Sequence, residues 1–425
     1  MTEPATTLES ARQLDQDDDL RRFRDQFQIP HVNDEPDLYF VGNSLGLMPT
    51  RTPGYVQLEL DRWADLGVRG HASGERNWIE YHECLAASMA AIVGGQVNEV
   101  ITMNTLTVNL HLMMATFYRP NKKRNKILIE QHAFPSDKNA VESQIRLHGY
   151  SSADSLIEVA SEPDGLLTTA GICDAVAKNR DTLALILLPG VQYYTGQVLD
   201  MEAITKCAHQ YDIKVGFDLA HAAGNVPMSL HQWDVDFACW CSYKYLNSGP
   251  GSLAGCFVHE RHATNTGLDR LAGWWGHDKA SRFEMTGDFS AIPTAEGWQL
   301  SNPPILSLAA IRASLDVFDE SGGIAVLHEK SRQQGKFFRS CLEQRLGDRV
   351  HVITPAEQSG CQLSLEVKFD GIDGRQVHEV LESKGIRTDW REPNVIRAAP
   401  TPLYNTYEEI WRFVDVLDEC LSSAN

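Results

Sequence analysis

Two segments decide the fold: Lys214-Val215-Gly216-Phe217-Asp218-Leu219-Ala220-His221, and Asp236-Phe237-Ala238-Cys239-Trp240-Cys241-Ser242-Tyr243-Lys244-Tyr245. Each is a short apolar run that ends on a charged side chain, an acid in the first and a lysine in the second. Short apolar runs bounded by turn residues read as buried strands. In a parallel sheet, ligands bind outside the carboxyl ends of the strands. An acid and a lysine at neighbouring strand ends suit pyridoxal phosphate. The lysine amine can link covalently to the aldehyde, while the aspartate pairs with the pyridinium nitrogen and keeps it protonated, making an electron sink. Asp218 and Lys244 are therefore the first catalytic candidates.

Working outward, further strands are expected at Lys126–Glu130, Leu183–Leu188, Ile213–Phe217 and Asp236–Ser242, with helices such as Met201–Tyr211 between them. This alternation predicts an α/β domain with a mainly parallel sheet. Helical patterns also cover Thr52–Leu66 and Cys84–Val93, the latter stopping at Gly94-Gly95. Thr105-Leu106-Thr107 precedes an apolar helix at Val108–Tyr118, so its free N–H groups and hydroxyls suit a phosphate. After Ser301-Asn302-Pro303-Pro304, a helix at Ile305–Asp319 runs to Gly322-Gly323 and links to a second unit. There Leu363, Leu365, Val367 and Phe369 alternate with polar residues, as in a strand with one wet face. Asp373 caps a helix that Gly385 ends, and Val395–Ala398 reads as a strand, which makes this unit a smaller α+β domain. The expected division is an N-terminal arm over 1–65, a large cofactor-binding domain over 66–304 and a small domain over 305–425.

A net charge of −19 argues against nucleic acid or an anionic membrane as a partner, so an anionic cofactor needs local positive centres. No run approaches the length of a membrane span and no signal-peptide core is visible, so the expected location is cytoplasmic. The nine cysteines form no CxxC pair and read as free thiols, and the fifteen histidines form no HExxH motif, so no metal is expected. His259 and His262 read as surface residues, Lys122-Lys123-Arg124 as a solvated loop, and Asp15 to Asp19 as a solvated helix face or frayed arm.

Six segments carry a narrower resemblance: Phe40-Val41-Gly42-Asn43-Ser44-Leu45-Gly46, Ala133-Phe134-Pro135-Ser136-Asp137, Tyr194-Thr195-Gly196-Gln197, Ser242-Tyr243-Lys244-Tyr245-Leu246-Asn247, Ser301-Asn302-Pro303-Pro304 and Pro402-Leu403-Tyr404-Asn405. Together they resemble the kynureninase family, whose members have the fold-type-I architecture of aspartate aminotransferase with a seven-stranded sheet. The resemblance implies pyridoxal 5'-phosphate as cofactor. It also implies hydrolysis of L-kynurenine or 3-hydroxy-L-kynurenine to L-alanine and the matching anthranilate, in tryptophan catabolism and NAD biosynthesis, by a homodimer with shared active sites.

Residue by residue, the resemblance implies Leu106 and Thr107 at the phosphate of the cofactor, Pro135 and Ser136 as further cofactor contacts, and Phe134 stacked on its ring. Asp137 is implied as a second carboxylate near Asp218, and His221 as support for that acid. Tyr243 is implied as phosphate contact and proton donor. Trp274 and Asn302 are implied as cofactor contacts, Trp274 from the partner subunit. Ser44, His71, Asn302 and Arg397 are implied around the substrate, where the Arg397 fork matches the two oxygens of an α-carboxylate. His71 and Asn302 are of the hydroxyl-reading kind, which implies a preference for the 3-hydroxylated substrate. Pro189 departs from the pattern, since it offers neither hydroxyl nor N–H where some members carry a hydroxyl residue. The competing expectation is a cysteine desulfurase-like lyase, for which Cys361 would have to be a mobile nucleophile.

Overall fold

The computed structural model of the chain describes residues 6–32, 34–285, 287–368 and 373–422. Its centre is a seven-stranded sheet. In chain order the strands are β1 (Val100–Met103), β2 (Lys126–Glu130), β3 (Leu156–Val159), β4 (Leu183–Pro189), β5 (Lys214–Asp218), β6 (Phe237–Trp240) and β7 (Ala254–Val258). Across the sheet they run β1-β7-β6-β5-β4-β2-β3. Only β7 opposes its neighbours, β6 and β1, and the rest share one direction. Alternate residues feed two cores. Ile127, Ile129, Leu185, Leu187, Phe237 and Cys239 point to one face, and Leu128, Ile186, Leu188, Val215, Phe217, Ala238 and Trp240 to the other. Burial on both faces explains why these strands read as continuous apolar runs.

A second, antiparallel sheet follows, with β8 (Val350–Val352), β9 (Leu363–Val367), β10 (Asp389–Arg391) and β11 (Val395–Ala398) in the order β8-β9-β11-β10. It shares a third core with the helices Ile324–Leu346, Gly374–Ser383 and Tyr407–Ser422. Asp373 does cap its helix, accepting from the Arg375 N–H. Of the alternating residues, Phe369 lies outside those described. The wet face is only partial, because Ser364 is buried and donates to the Tyr194 carbonyl at 2.5 Å.

Several expectations need correcting. The second strand ends at Trp240, so Lys244 stands on the following turn rather than at a strand end. The apolar helix predicted over 108–118 begins at Leu106 and ends at Phe117. The acidic run at Asp15 to Asp19 is not a frayed arm: Asp15 is buried and accepts from the Tyr407 and Glu408 N–H groups, capping the last helix, and Asp18 pairs with Lys330 at 2.7 Å. His259 is buried rather than on the surface, stacked on His231, and His262 bonds Asp236 at 2.6 Å. Sequence polarity misled in these places because partners far along the chain satisfy the charges.

Candidate active site

Because six strands share a direction, their carboxyl ends open on one edge of the sheet, and the segments that follow them enclose a cavity of about 360 Å³. The segment after β1 brings Leu106 and Thr107. That after β2 brings Phe134, Ser136 and Asp137. Those after β5 and β6 bring His221, Tyr243 and Lys244, with Asp218 itself closing β5. Ser44 enters from the N-terminal segment and Arg397 from β11. Gly46 makes the N-terminal approach possible: its N–H donates to the Tyr243 carbonyl at 2.8 Å, and a Cβ there would lie 2.3 Å from the Lys244 carbonyl oxygen.

The acid pair sits at the end of β5. Asp218 is buried and accepts from the Ala220 N–H at 2.6 Å. Burial, then the negative charge of Asp218, pushes the Asp137 carboxyl well above the usual carboxylate range; burial also raises Asp218. Two carboxyls in contact with little water cannot both ionise, so Asp137 keeps its proton and shares it with Asp218. Facing them, Lys244 Nζ lies 3.0 Å from His221 Nε2 and 5.9 Å from the centre of the Phe134 ring. Burial, reinforced by the Lys244 charge, drops the His221 pKa well below its ordinary value, so its imidazole is neutral. The Tyr243 phenol is raised, chiefly by burial, and stays protonated.

At the start of the helix Leu106–Phe117 no side chain caps the backbone, so its first N–H groups are open to an anion. The Thr107 and Ser136 hydroxyls meet beside it at 2.8 Å. On the side of the cavity formed by β10 and β11, Arg397 is buried, with Nη1 donating to the Tyr193 carbonyl at 2.6 Å and Nη2 to Asp389 Oδ2 at 2.5 Å. Arg391 donates to the same Asp389 oxygen at 3.0 Å. The fork of Arg397 is therefore held in place before any ligand arrives.

Four of the predicted residues stand outside this cavity. Pro135 is exposed at the first turn of its helix. Trp274 lines a separate depression with Phe289, Asn302 is exposed, and His71 is exposed against the edge of the Trp78 ring. Conversely, Glu130, Asn43, Tyr193 and Arg391 line the cavity without having been predicted, and Pro189 lines it too. Glu130 closes the run Lys126–Glu130 as Asp218 closes its own, and that repeated signal would have found it. Arg391 and Tyr193 sit in loops or edge strands with no such signal.

The cavity fits pyridoxal phosphate. Asp137 Oδ1, His221 Nδ1, Asn43 Oδ1, Arg391 Nε and Arg397 Nε are all buried around it without a hydrogen-bond partner. Buried polar atoms are rarely left so. They supply acceptors beside the acid pair and donors beside the arginines, where a pyridinium and a carboxylate would need them. By contrast, Cys361 is buried and its thiol is pushed up to about 12 by burial, which makes it a poor mobile nucleophile.

Solved structures share this architecture. A C-DES variant with glycine linked covalently to its PLP cofactor superposes with a TM-score of 0.77 at 17% identity, over 93% of this chain and 99% of that one. The apo cysteine desulfurase from Thermococcus onnurineus NA1 gives 0.76 at 16% identity, over 95% and 98%. Residues 74–228 match the profile of the DegT/DnrJ/EryC1/StrS aminotransferase family. Fold and site thus define a fold-type-I pyridoxal phosphate-dependent enzyme.

The narrower assignment comes from closer relatives. Residues 327–417 match the kynureninase C-terminal domain. The chain is 51% identical to the kynureninase of Xanthomonas euvesicatoria pv. vesicatoria (strain 85-10), over 95% of this chain and 96% of the relative. It is 49% identical to that of Xanthomonas axonopodis pv. citri (strain 306), over 98% and 99%. The chain belongs to the kynureninase family.

Proposed function

We propose that the chain hydrolyses the Cβ–Cγ bond of L-kynurenine or 3-hydroxy-L-kynurenine, releasing L-alanine and anthranilate or 3-hydroxyanthranilate, in tryptophan catabolism and NAD biosynthesis. The observation that carries this reading is near-full-length identity of about one half to relatives named kynureninase. The cavity supports it by joining lysine, acid pair and buried arginine. Pyridoxal phosphate, when bound, supplies an aldehyde that exchanges amines and a protonated ring that draws electron density from the substrate's α-carbon. Leu106, Thr107 and Ser136 hold its phosphate, and Asp218, backed by Asp137, holds the proton on the ring nitrogen.

The remaining work belongs to the chain. Arg397 binds the α-carboxylate and fixes which bond faces the catalytic groups. Lys244 Nζ, beside a neutral His221 that does not compete for positive charge, removes the α-proton and returns it. Water then adds to the γ-carbonyl, the Cβ–Cγ bond breaks, and Tyr243, which keeps its phenolic proton, delivers it to Cβ.

The same reading makes the active form a homodimer. Leu271, Trp274, Phe283 and Phe289 leave large apolar surface in water on one segment, and a second copy would cover it. That copy would bring Trp274, Asn302 and His71 to the cavity. The same reading divides the chain into 1–65, 66–304 and 305–425; the small sheet's own core supports the last unit, whereas the helix Ile305–Glu320 contributes Leu308, Ile311, Leu315 and Phe318 to a core of the large sheet. Among the described residues no helix is long and apolar enough to cross a membrane, which is consistent with a cytoplasmic enzyme. Anthranilate release from L-kynurenine by the loaded enzyme tests the activity, and a mass of two chains in solution tests the assembly.

A further inference from the structure

The helix Ile324–Leu346 carries a glycine near its middle, Gly335, which costs about 1 kcal/mol relative to alanine. No packing explains it, because a Cβ at Gly335 would meet nothing within 4 Å. The glycine instead forms the floor of a crevice of about 270 Å³ between this helix and the loop at 356–360. His328, Ser331, Lys336 and Arg339 project into the same crevice, and Arg332 stands at its rim, paired with Glu329 at 2.9 Å.

The charges here are not internally satisfied. Among the described residues, no carboxylate pairs with Lys336 or Arg339. Arg339 gives one terminal nitrogen to the Thr354 and Pro355 carbonyls, and burial lowers its pKa. The Ser331 side chain is 2% exposed, yet its Oγ has no hydrogen-bond partner, and the Nδ1 of His328 is buried without one either. Glu357 adds one carboxylate to the lining. In a chain with a net charge of −19, a half-enclosed crevice with two unpaired cations and an idle hydroxyl is an exception.

We propose that this crevice is a binding site for a small oxyanion, the phosphate or carboxylate group of a metabolite, separate from the catalytic cavity. Guanidinium, ammonium and hydroxyl donors lining one crevice form the usual donor set for such groups, and the bare helix face at Gly335 admits the ligand's body. The crevice leaves room beside the anion for an organic part of the ligand. The site lies behind the catalytic centre. His328 bonds the Asn225 backbone, the Asn225 side chain donates to the His221 carbonyl at 2.9 Å, and His221 touches Lys244.

Calorimetric titration of the holoenzyme at constant ionic strength, with inorganic phosphate in one arm and acetate in the other, tests this. With the cofactor in place its own phosphate seat is filled. The expected result is saturable one-to-one binding of at least one anion, the better of the two naming the ligand's acidic group. Arg339→Gln and Lys336→Gln should each weaken it roughly tenfold, the loss of one charge-assisted hydrogen bond, and Ser331→Ala by less. Arg397→Gln should leave it unchanged. Because Arg339 also braces the loop, Lys336→Gln and Ser331→Ala decide the matter. The proposal is overturned by no saturable binding of either anion up to about 10 mM, by affinity that survives both Lys336→Gln and Ser331→Ala, or by loss of binding in Arg397→Gln.

Discussion

The central sheet buries an aspartate at each end, and the two behave in opposite ways. Asp236, just before β6, accepts from His209, His262, Arg261 and the Val215 N–H, and those partners hold its carboxyl well below the usual range despite burial. Asp218, at the end of the neighbouring strand, has a second carboxyl for company, and burial raises it. One end of the sheet has closed its polar accounts within the chain, whereas the other leaves Asp137 Oδ1 and His221 Nδ1 without partners. A satisfied buried charge holds a fold together; an unsatisfied one is kept for a ligand.

Substitutions should separate the two ends. The largest effect is expected for Lys244→Ala, which should cut turnover about 10⁴-fold, the upper range for losing a proton-transfer group, with little change in melting temperature. Normal multiple turnover in that variant would remove Lys244 from the mechanism. Asp218→Asn should lower kcat about 10³-fold, since an amide cannot hold the ring proton, and leave stability nearly untouched. Asp236→Asn should do the reverse, destabilising by about 3 kcal/mol or more while sparing kcat per folded molecule. Denaturant unfolding alongside steady-state kinetics reads both. Arg397→Lys should reduce kcat/KM roughly 10- to 100-fold with cofactor affinity preserved.

The pH dependence of stability should carry opposite signs at the two ends. The folded pKa of Asp236 lies below its unfolded value. Its contribution is therefore full above the unfolded pKa and is lost as pH falls through the lower folded value. Glu130 is buried in the cavity wall and raised to about 8, chiefly by burial. There the folded state keeps a proton the unfolded chain has released, so stability falls as pH rises from the unfolded value towards 8, by up to about 1.4 kcal/mol per pH unit. In protein stripped of cofactor, Glu130→Gln should flatten that slope between about pH 5 and 8; an unchanged slope would assign it to Asp137 instead. The smallest effect concerns substrate choice. A His71 and Asn302 pair reading the phenolic oxygen should favour 3-hydroxykynurenine by roughly tenfold in kcat/KM. The His71→Trp, Asn302→Thr double variant should erase that margin, and equal preference in the wild type would refute the hydroxyl-reading role.

The same contrast explains what could be read from the chain alone. The strands Lys126–Glu130 and Val395–Ala398 and the helix Thr52–Leu66 fall where the pattern put them, since apolar runs bounded by turn residues are local signals. Asp218, Phe134, Ser136, Asp137, Tyr243 and Lys244 line one cavity because sheet topology brings strand ends together. Asp15, His259 and His262 looked like surface polarity, since their partners lie on distant segments and leave no local trace. The helix Ile324–Leu346 went unread because Gly335 and its many polar residues blur the apolar stripe. Arg391 and Tyr193 were missed for a related reason: their place at the cavity depends on Asp389 and on the turn at 192–197, not on their own neighbours in sequence.

The most direct test of the account is product analysis of the loaded wild-type enzyme given L-kynurenine and 3-hydroxy-L-kynurenine, with cysteine as a parallel substrate. The account predicts equal amounts of L-alanine and the matching anthranilate from the kynurenines, abolished by Lys244→Ala, and no sulfide from cysteine. Sulfide release from cysteine without anthranilate from either kynurenine would contradict it.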